Sequence, residues 1–102
     1  MDRIARLKEF LALDPGDLFS AHALALEYVK AGDDALARTL FEEVLLRDPA
    51  HTGTYYHLGR LLERAGDHAG AKAVYEKGMA MARSRNENHT LNELRSAWEE
   101  LD

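Results

Sequence analysis

Apolar side chains recur every three or four positions through most of this chain of 102 residues. That interval places them on one face of an α-helix, because an α-helix turns once every 3.6 residues. One such set comprises Ala21, Leu24, Ala25, Tyr28 and Ala31. A later set has the same spacing and comprises Tyr55, Leu58, Gly59, Leu62 and Ala65. The pattern predicts two amphipathic helices of one design.

These two helices belong to a longer repeat. A shift of 34 residues places Asp14-Pro15 on Asp48-Pro49 and Ala31-Gly32-Asp33 on Ala65-Gly66-Asp67. Nine of the 36 aligned positions are identical. A fixed period of this length is typical of a solenoid, in which each repeat packs against the next.

Each repeat predicts two helices joined by a tight turn. Gly32 and Gly66 stand where the first helix ends and a left-handed backbone favours glycine, and the aspartate that follows suits the start of a second helix. The second helices are predicted at about 35–47 and 69–83. Gly59, inside a first helix, leaves room for a neighbouring helix to approach closely.

Two further helices flank the repeats. Residues 2–13 carry an apolar stripe in the register of the second helix of a preceding repeat, formed by Ile4, Leu7, Phe10 and Leu11. Residues 88–101 carry a second stripe, formed by Leu91, Leu94, Trp98 and Leu101. The segment Thr90-Leu91-Asn92-Glu93 fits a capping box and predicts a helix start at Thr90. Because Trp98 lies on the stripe, it is interpreted as a packing anchor rather than a ligand contact.

The order of residues resembles the tetratricopeptide repeat, whose period is 34. The resemblance is carried by Leu58-Gly59, Ala65-Gly66-Asp67, Ala71 and Tyr75. It implies an all-α fold: a short right-handed solenoid of about six antiparallel helices, forming a single domain over residues 1–102. Unit 1 is predicted at 16–49 and unit 2 at 50–83. The chain also resembles small stand-alone bacterial proteins of this family.

Three positions depart from the family pattern. Ala21 replaces the large aromatic residue usual in unit 1, and Gly78 replaces a usual alanine. Arg83 stands where proline would end unit 2, which predicts that the last helix of this unit continues to about Arg85.

Composition and charge narrow the class of partner. The 13 basic and 18 acidic residues give a net charge of −5, which argues against nucleic acid because binding it requires clustered cations. No apolar run approaches the roughly 20 residues needed to span a membrane, and no signal peptide is recognisable. The chain has no cysteine, which excludes disulfides and thiolate chemistry. We therefore expect a cytoplasmic protein that binds neither nucleic acid nor membrane.

One helix face collects polar and aromatic residues away from the apolar stripe. With Leu58 at the centre of the buried face, Tyr55 is a packing residue. The opposite face of both first helices carries Phe19, His22, Leu26, Lys30, Tyr56, His57, Arg60 and Arg64. The family resemblance implies that this face lines a concave groove that binds peptides.

The groove residues suggest the chemistry of a ligand. Apolar and aromatic groups combined with Lys30, Arg60 and Arg64 favour a segment that is acidic and hydrophobic, and His22 and His57 would add charge below about pH 6.5. The chain is therefore interpreted as an adaptor that binds a peptide segment of another protein. An equally weighted interpretation is that Arg60 and Arg64 are solvated and paired with neighbouring acids.

The sequence contains no residue pattern typical of a catalytic site or a metal site. The five histidines are not spaced as helical metal ligands, and the serines and threonines lack a histidine–aspartate arrangement. No glycine-rich phosphate loop follows a predicted strand. We expect no enzyme activity, no metal site and no cofactor.

Self-association is the alternative function. The helix at 2–13 resembles half a unit with no helix before it, so its outer side could remain apolar. Two chains would then pair through Ile4, Leu7 and Leu11 as a structural homodimer without a dedicated peptide ligand.

Overall fold

The computed structural model describes residues 2–101, and in that range it contains six α-helices and no strand. The helices are α1 Arg3–Leu13, α2 Leu18–Lys30, α3 Asp34–Arg47, α4 Thr52–Arg64, α5 His68–Ser84 and α6 Asn88–Glu99. The predicted helices lie within two residues of these bounds. Positions 1 and 102 of the predicted domain lie outside the described residues.

The turns between paired helices follow the local sequence signals. Gly32 and Gly66 adopt φ of +80° and +83°, the left-handed conformation expected of them. The aspartates after them cap the next helix, since Asp33 accepts a hydrogen bond from the Leu36 amide and Asp67 accepts one from the Gly70 amide. Residues close in sequence therefore define the hairpins without help from the rest of the chain.

The predicted capping box of α6 is absent, although the helix begins at residue 88 as the predicted range has it. The helix begins at Asn88, so Thr90 lies inside it and forms no capping box. Asn86 takes a left-handed φ of 57° and ends the preceding helix, and Glu87 then occupies the cap position. The Glu87 carboxylate accepts a hydrogen bond from the Thr52 hydroxyl at 3.1 Å, so a contact 35 residues away holds this junction.

The six helices form two layers. Each helix packs against the one before and the one after it, and α4 also contacts α6 directly. We call α2, α4 and α6 the inner layer, and α1, α3 and α5 the outer layer. Every first helix of a hairpin thus lies on one side of the stack, which is the arrangement the repeat predicts.

The core is built around one aromatic ring in each unit. Phe41 in unit 1 and Tyr75 in unit 2 are completely buried. The Tyr75 ring lies directly against Gly59, so the expected close helix approach occurs at that glycine. Tyr55 is also buried, as predicted, and its hydroxyl donates a hydrogen bond to the Pro49 carbonyl at 2.6 Å.

The flanking helices pack onto the units. Leu7 is only 4% exposed, and Ile4 and Leu11 pack with it against α2 and α3. Leu7 is therefore not available for the dimer surface expected of it, whereas Ile4 and Leu11 remain partly exposed. Trp98 is half-buried, packs against the core and donates a hydrogen bond to Glu76 at 3.2 Å, which confirms its packing role.

Candidate functional site

Two clefts open on the inner layer, on either side of α4. The first cleft, between α2 and α4, is lined by Arg3, Ala23, Leu26, Glu27, Val29, Lys30 and His57. The second cleft, between α4 and α6, is lined by Tyr56, Arg60, His89, Asn92, Glu93, Ser96, Ala97 and Glu100. Their volumes are about 500 Å³ and 310 Å³.

The clefts divide the residues predicted for the groove. Leu26, Lys30 and His57 lie together in the first cleft, while Tyr56 and Arg60 lie in the second. The remaining three line neither: Phe19 is 78% exposed at the start of α2, Arg64 binds Asp34, and His22 is hydrogen-bonded between the inner helices. The sequence placed these residues on one face, but inter-helix packing separates them into groups.

The contribution of α6 to this surface was not predicted. Asn92, Glu93, Ser96 and Glu100 form one wall of the second cleft. They recur three or four positions apart on the polar side of α6, which is a signal that the sequence does contain. It was overlooked because α6 was interpreted only as a packing cap.

Three histidines meet between the inner helices, and we call His22, His51 and His57 the histidine cluster. The His22 ring centroid is 5.1 Å from that of His51 and 5.5 Å from that of His57. The buried Thr54 hydroxyl joins the first two, 2.9 Å from His22 Nδ1 and 2.7 Å from His51 Nδ1. The Phe41 ring lies beneath, stacked with His57.

Two of these imidazoles are held toward their neutral form. Burial, with smaller contributions from the neighbouring His51 and His57, lowers the pKa of His22 to about 4. Burial also lowers the pKa of His57, against an opposing effect of Glu93. The expectation that His22 and His57 charge the groove below pH 6.5 is therefore wrong for His22, which remains neutral until far lower pH.

No metal site is formed in the described part of the chain. Across residues 2–101, no three histidine or acidic side chains are arranged to hold one ion. In the histidine cluster, Thr54 engages Nδ1 of both His22 and His51.

The three basic side chains predicted for the groove each lie close to a carboxylate. Arg64 forms two hydrogen bonds with Asp34 at 3.0 and 3.2 Å, and Lys30 lies 3.2 Å from Glu27. Arg60 lies 3.3 Å from Glu63 and 3.6 Å from Glu100. These ion pairs agree with the interpretation in which Arg60 and Arg64 are paired with neighbouring acids.

Arg60 is held more firmly than Arg64. It donates hydrogen bonds to the Tyr56 hydroxyl at 3.1 and 3.2 Å and lies over the Tyr56 ring. These hydrogen bonds raise the pKa of Arg60 above its usual range. Glu63 completes the network by accepting a hydrogen bond from the buried Tyr75 hydroxyl. Arg60 therefore joins the second cleft to the core.

Comparison with known proteins shows which family has this two-layer arrangement of helices. The family model described as "Tetratricopeptide repeat" matches residues 28–91. The chain belongs to the tetratricopeptide repeat family. Tetratricopeptide repeat folds are generally protein–protein interaction modules and typically non-enzymatic scaffolds.

Relatives of similar length carry the same repeats. The chain is 27% identical over 99 residues to the TPR repeat-containing protein PA0015 of Pseudomonas aeruginosa, covering 97% of this chain and 94% of that protein. The crystal structure of a tetratricopeptide repeat domain protein from Salinibacter ruber has a TM-score of 0.79 at 39% identity, with 82% of this chain and 93% of that chain covered. The solution structure of BPP2914 from Bordetella parapertussis has a TM-score of 0.85 at 26% identity, covering 98% and 87%.

Of the tetratricopeptide repeat helices described between residues 2 and 101, none has the length and apolar character that crossing a membrane requires.

Proposed function

We propose that this chain is a non-enzymatic adaptor that binds an extended segment of another protein across the two inner clefts. The observation that carries the proposal is the pair of adjacent clefts on the inner layer, each with an exposed polar rim. Concave sites with a few placed polar groups are the usual sites of ligand binding. With a net charge of −5 and no concentrated basic face, a protein partner is favoured over nucleic acid or a membrane surface.

The first cleft favours an acidic and hydrophobic part of the segment. Leu26, Ala23 and Val29 provide apolar wall. Two cations at the rim, Arg3 and Lys30, share the single carboxylate of Glu27 at 3.5 and 3.2 Å. Because one positive charge is left over, an acidic side chain of the ligand would complete the pairing.

The second cleft favours a polar or basic part of the same segment. Its single cation, Arg60, is neutralised by Glu63 and Glu100, and Glu93 adds a further negative charge. An acidic residue placed here would meet like charge. The two clefts together therefore select both the composition and the direction of a bound segment.

We expect the charge reversal Lys30→Glu to weaken binding of an acidic-hydrophobic segment about tenfold, because it replaces one of the two cations that share Glu27 by a negative charge. Lys30 is 75% exposed, so the fold tolerates the change. The peptide used for this test is selected from a random peptide display library. Calorimetry measures its affinity, and NMR maps the residues that it contacts.

Lys77→Glu is the matched control, since Lys77 is an exposed lysine of the outer layer. It makes the same change in net charge and should leave the affinity within about twofold, since exposed charges far from a site have small effects. Equal losses for both variants, or NMR shifts confined to the outer layer, would contradict the inner clefts as the binding site.

Self-association remains the second candidate function, on a surface different from the one expected. Phe10 is 47% exposed and Leu13 is 86% exposed, and the two lie three residues apart on α1. Exposed apolar residues that recur on one helix side can mark an interface between subunits.

The double substitution of Phe10 and Leu13 by serine tests this alternative. We expect wild type to form dimers at high micromolar concentration and the variant to remain monomeric in sedimentation velocity experiments. Leu46→Ser is the control, because Leu46 is an equally exposed leucine on α3. A wild-type protein that stays monomeric at these concentrations would exclude the interface.

A further inference from the structure

The two inner clefts differ in character at equivalent positions of the repeat. In unit 1 these positions hold Leu26 and Val29, which are apolar and line the first cleft. The shift of 34 residues places them on Arg60 and Glu63 of unit 2, which form an ion pair at 3.3 Å. A pair of opposite charges therefore stands at the second cleft where the first cleft has an aliphatic wall.

This difference extends into the core through one hydroxyl group. Phe41 aligns with Tyr75, and both rings are completely buried. The Tyr75 hydroxyl, which phenylalanine lacks, donates a hydrogen bond to Glu63 Oε2. The same carboxylate accepts hydrogen bonds from Arg60 Nη1 at 3.3 Å. The hydroxyl, the carboxylate and the guanidinium thus form one chain of contacts from the core to the cleft.

Glu63 depends on this hydroxyl more than an exposed glutamate would. Its side chain is only 20% exposed, so the carboxylate has lost most of its contact with water. A carboxylate in such a place needs hydrogen bonds in exchange for its hydration. Tyr75 supplies one of them from a ring that packing holds in place. Without the hydroxyl, Glu63 would regain water by rotating outward and would leave Arg60.

Arg60 is held on its other side by Tyr56. The Tyr56 hydroxyl accepts hydrogen bonds from Arg60 Nε and Nη2 at 3.2 and 3.1 Å. Glu100 approaches from the α6 side at 3.6 Å, and its side chain is 64% exposed. The guanidinium is therefore fixed and neutralised from its own helix, and Glu93 and Glu100 give the second cleft a negative charge.

We propose that Tyr75 is a positioning residue of the second cleft and sets its charge selectivity through Glu63. Its hydroxyl holds Glu63 against Arg60, so an acidic residue of the bound segment finds no free positive charge. A lysine of the segment instead meets the carboxylates of Glu93 and Glu100. The inference rests on the proposed adaptor function, because it takes the second cleft as part of the surface that binds the segment.

The test compares two peptides that differ at one position. The peptide selected from the display library is made with lysine or with glutamate at the residue that NMR places closest to Arg60. We expect wild type to bind the lysine form about tenfold more tightly, since like charges repel across an interface. Tyr75→Phe should reduce this preference to about threefold or less, because Glu63 moves away and takes one negative charge with it.

Tyr55→Phe is the matched control. It removes another buried tyrosine hydroxyl, the one that donates to the Pro49 carbonyl at 2.6 Å. Because this hydroxyl bonds to a backbone carbonyl and not to Glu63, the variant should keep the full preference for lysine. A loss of stability alone would weaken both peptides alike, so the ratio of the two affinities separates positioning from packing.

Glu63→Gln tests the same contacts without a change in the buried ring. Glutamine can still accept the Tyr75 hydroxyl but carries no charge, so the preference for lysine should fall at least as far as in Tyr75→Phe. The free protein gives a second readout, since the Arg60 Nε–H group is observable by NMR. Its exchange with water should be faster in Tyr75→Phe than in wild type or in Tyr55→Phe.

Three results would overturn this inference and leave the adaptor function standing. They are equal binding of the two peptides by wild type, an unchanged preference in Tyr75→Phe or Glu63→Gln, and an unchanged exchange rate of the Arg60 Nε–H group in Tyr75→Phe. A library that yields no peptide for the inner clefts would contradict the adaptor function itself, and the selectivity assigned to Tyr75 would fail with it. Glu63→Gln and the exchange measurement keep the two failures distinct.

Discussion

Gly59→Ala is expected to lower the free energy of unfolding by about 1–3 kcal/mol, the usual cost of overfilling a packed core. Alanine is the better helix former by about 1 kcal/mol, so helix propensity alone predicts the opposite sign. The reason is steric: a Cβ at position 59 would lie 2.5 Å from Tyr75 Cζ. The ring has no room to retreat, because it is fully buried and its hydroxyl is bound to Glu63.

Gly53→Ala is the matched control, since Gly53 lies in the same helix but on its exposed side. No heavy atom lies within 4 Å of the Cβ that it would gain. It should therefore raise the free energy of unfolding by about 0.5 kcal/mol, as expected for glycine to alanine in an unstrained helix. Urea unfolding followed by circular dichroism measures both variants, and a stabilising Gly59→Ala would contradict the close packing of α4 on α5.

Acidification is expected to destabilise the protein between pH 6.5 and about 4 through the histidine cluster. Unfolded His22 has a pKa near 6.5, and in the folded protein burial lowers it to about 4. In this interval the unfolded chain binds more protons, so the free energy of unfolding falls as pH falls and levels off below pH 4. The full difference corresponds to about 3 kcal/mol, and solvent screening of a half-buried group reduces it to roughly 2 kcal/mol.

His22→Gln tests the assignment of this effect. Glutamine can still hydrogen-bond to Thr54 but does not titrate, so the loss of stability between pH 6.5 and 4 should become shallower. His68→Gln removes an exposed histidine at the start of α5 and should leave the slope unchanged. Urea unfolding at intervals of half a pH unit gives the slopes, and parallel curves for wild type and His22→Gln would exclude the cluster as their cause.

The histidine cluster also links stability to the binding surface. His57 lines the first cleft, while His22 and Thr54 lie behind it and join α2 to α4. Any charge that enters the cluster acts on the junction between the two units. Segment binding to the first cleft should accordingly be measured near neutral pH, where the lowered pKa values keep His22 and His57 uncharged.

Most of the helical framework could be predicted from the sequence because its signals are local. The apolar spacing identified the helices, and Gly32, Gly66 and the aspartates after them located the hairpin turns. Gly59 was recognised as a site of close approach because a residue without a side chain inside a helix needs such a reason. The cap residue of α6 could not be predicted in this way, since Thr52 in another helix binds Glu87.

The candidate site depended on contacts that no local pattern contains. A helical wheel gives the side of the helix on which Arg64 lies, but not that Asp34, 30 residues away, binds it. It also places His22 on the groove side without showing that Thr54 and His51 enclose it. A helical wheel gives only the direction in which a side chain leaves its own helix. Which partner that side chain meets depends on the distance and angle between helices.

By itself, the sequence determined the six helices, the two repeats that they form and the all-α solenoid fold. The reason is that the 34-residue repeat and the helical spacing of 3.6 residues are both visible in the order of the residues. Only the tertiary structure decided which polar groups remain open to a ligand. Packing the helices brings Glu27 to Arg3, Glu100 to Arg60 and Asp34 to Arg64, and it separates the inner face into two clefts. These outcomes depend on inter-helix distances, which side-chain volumes throughout the stack set together.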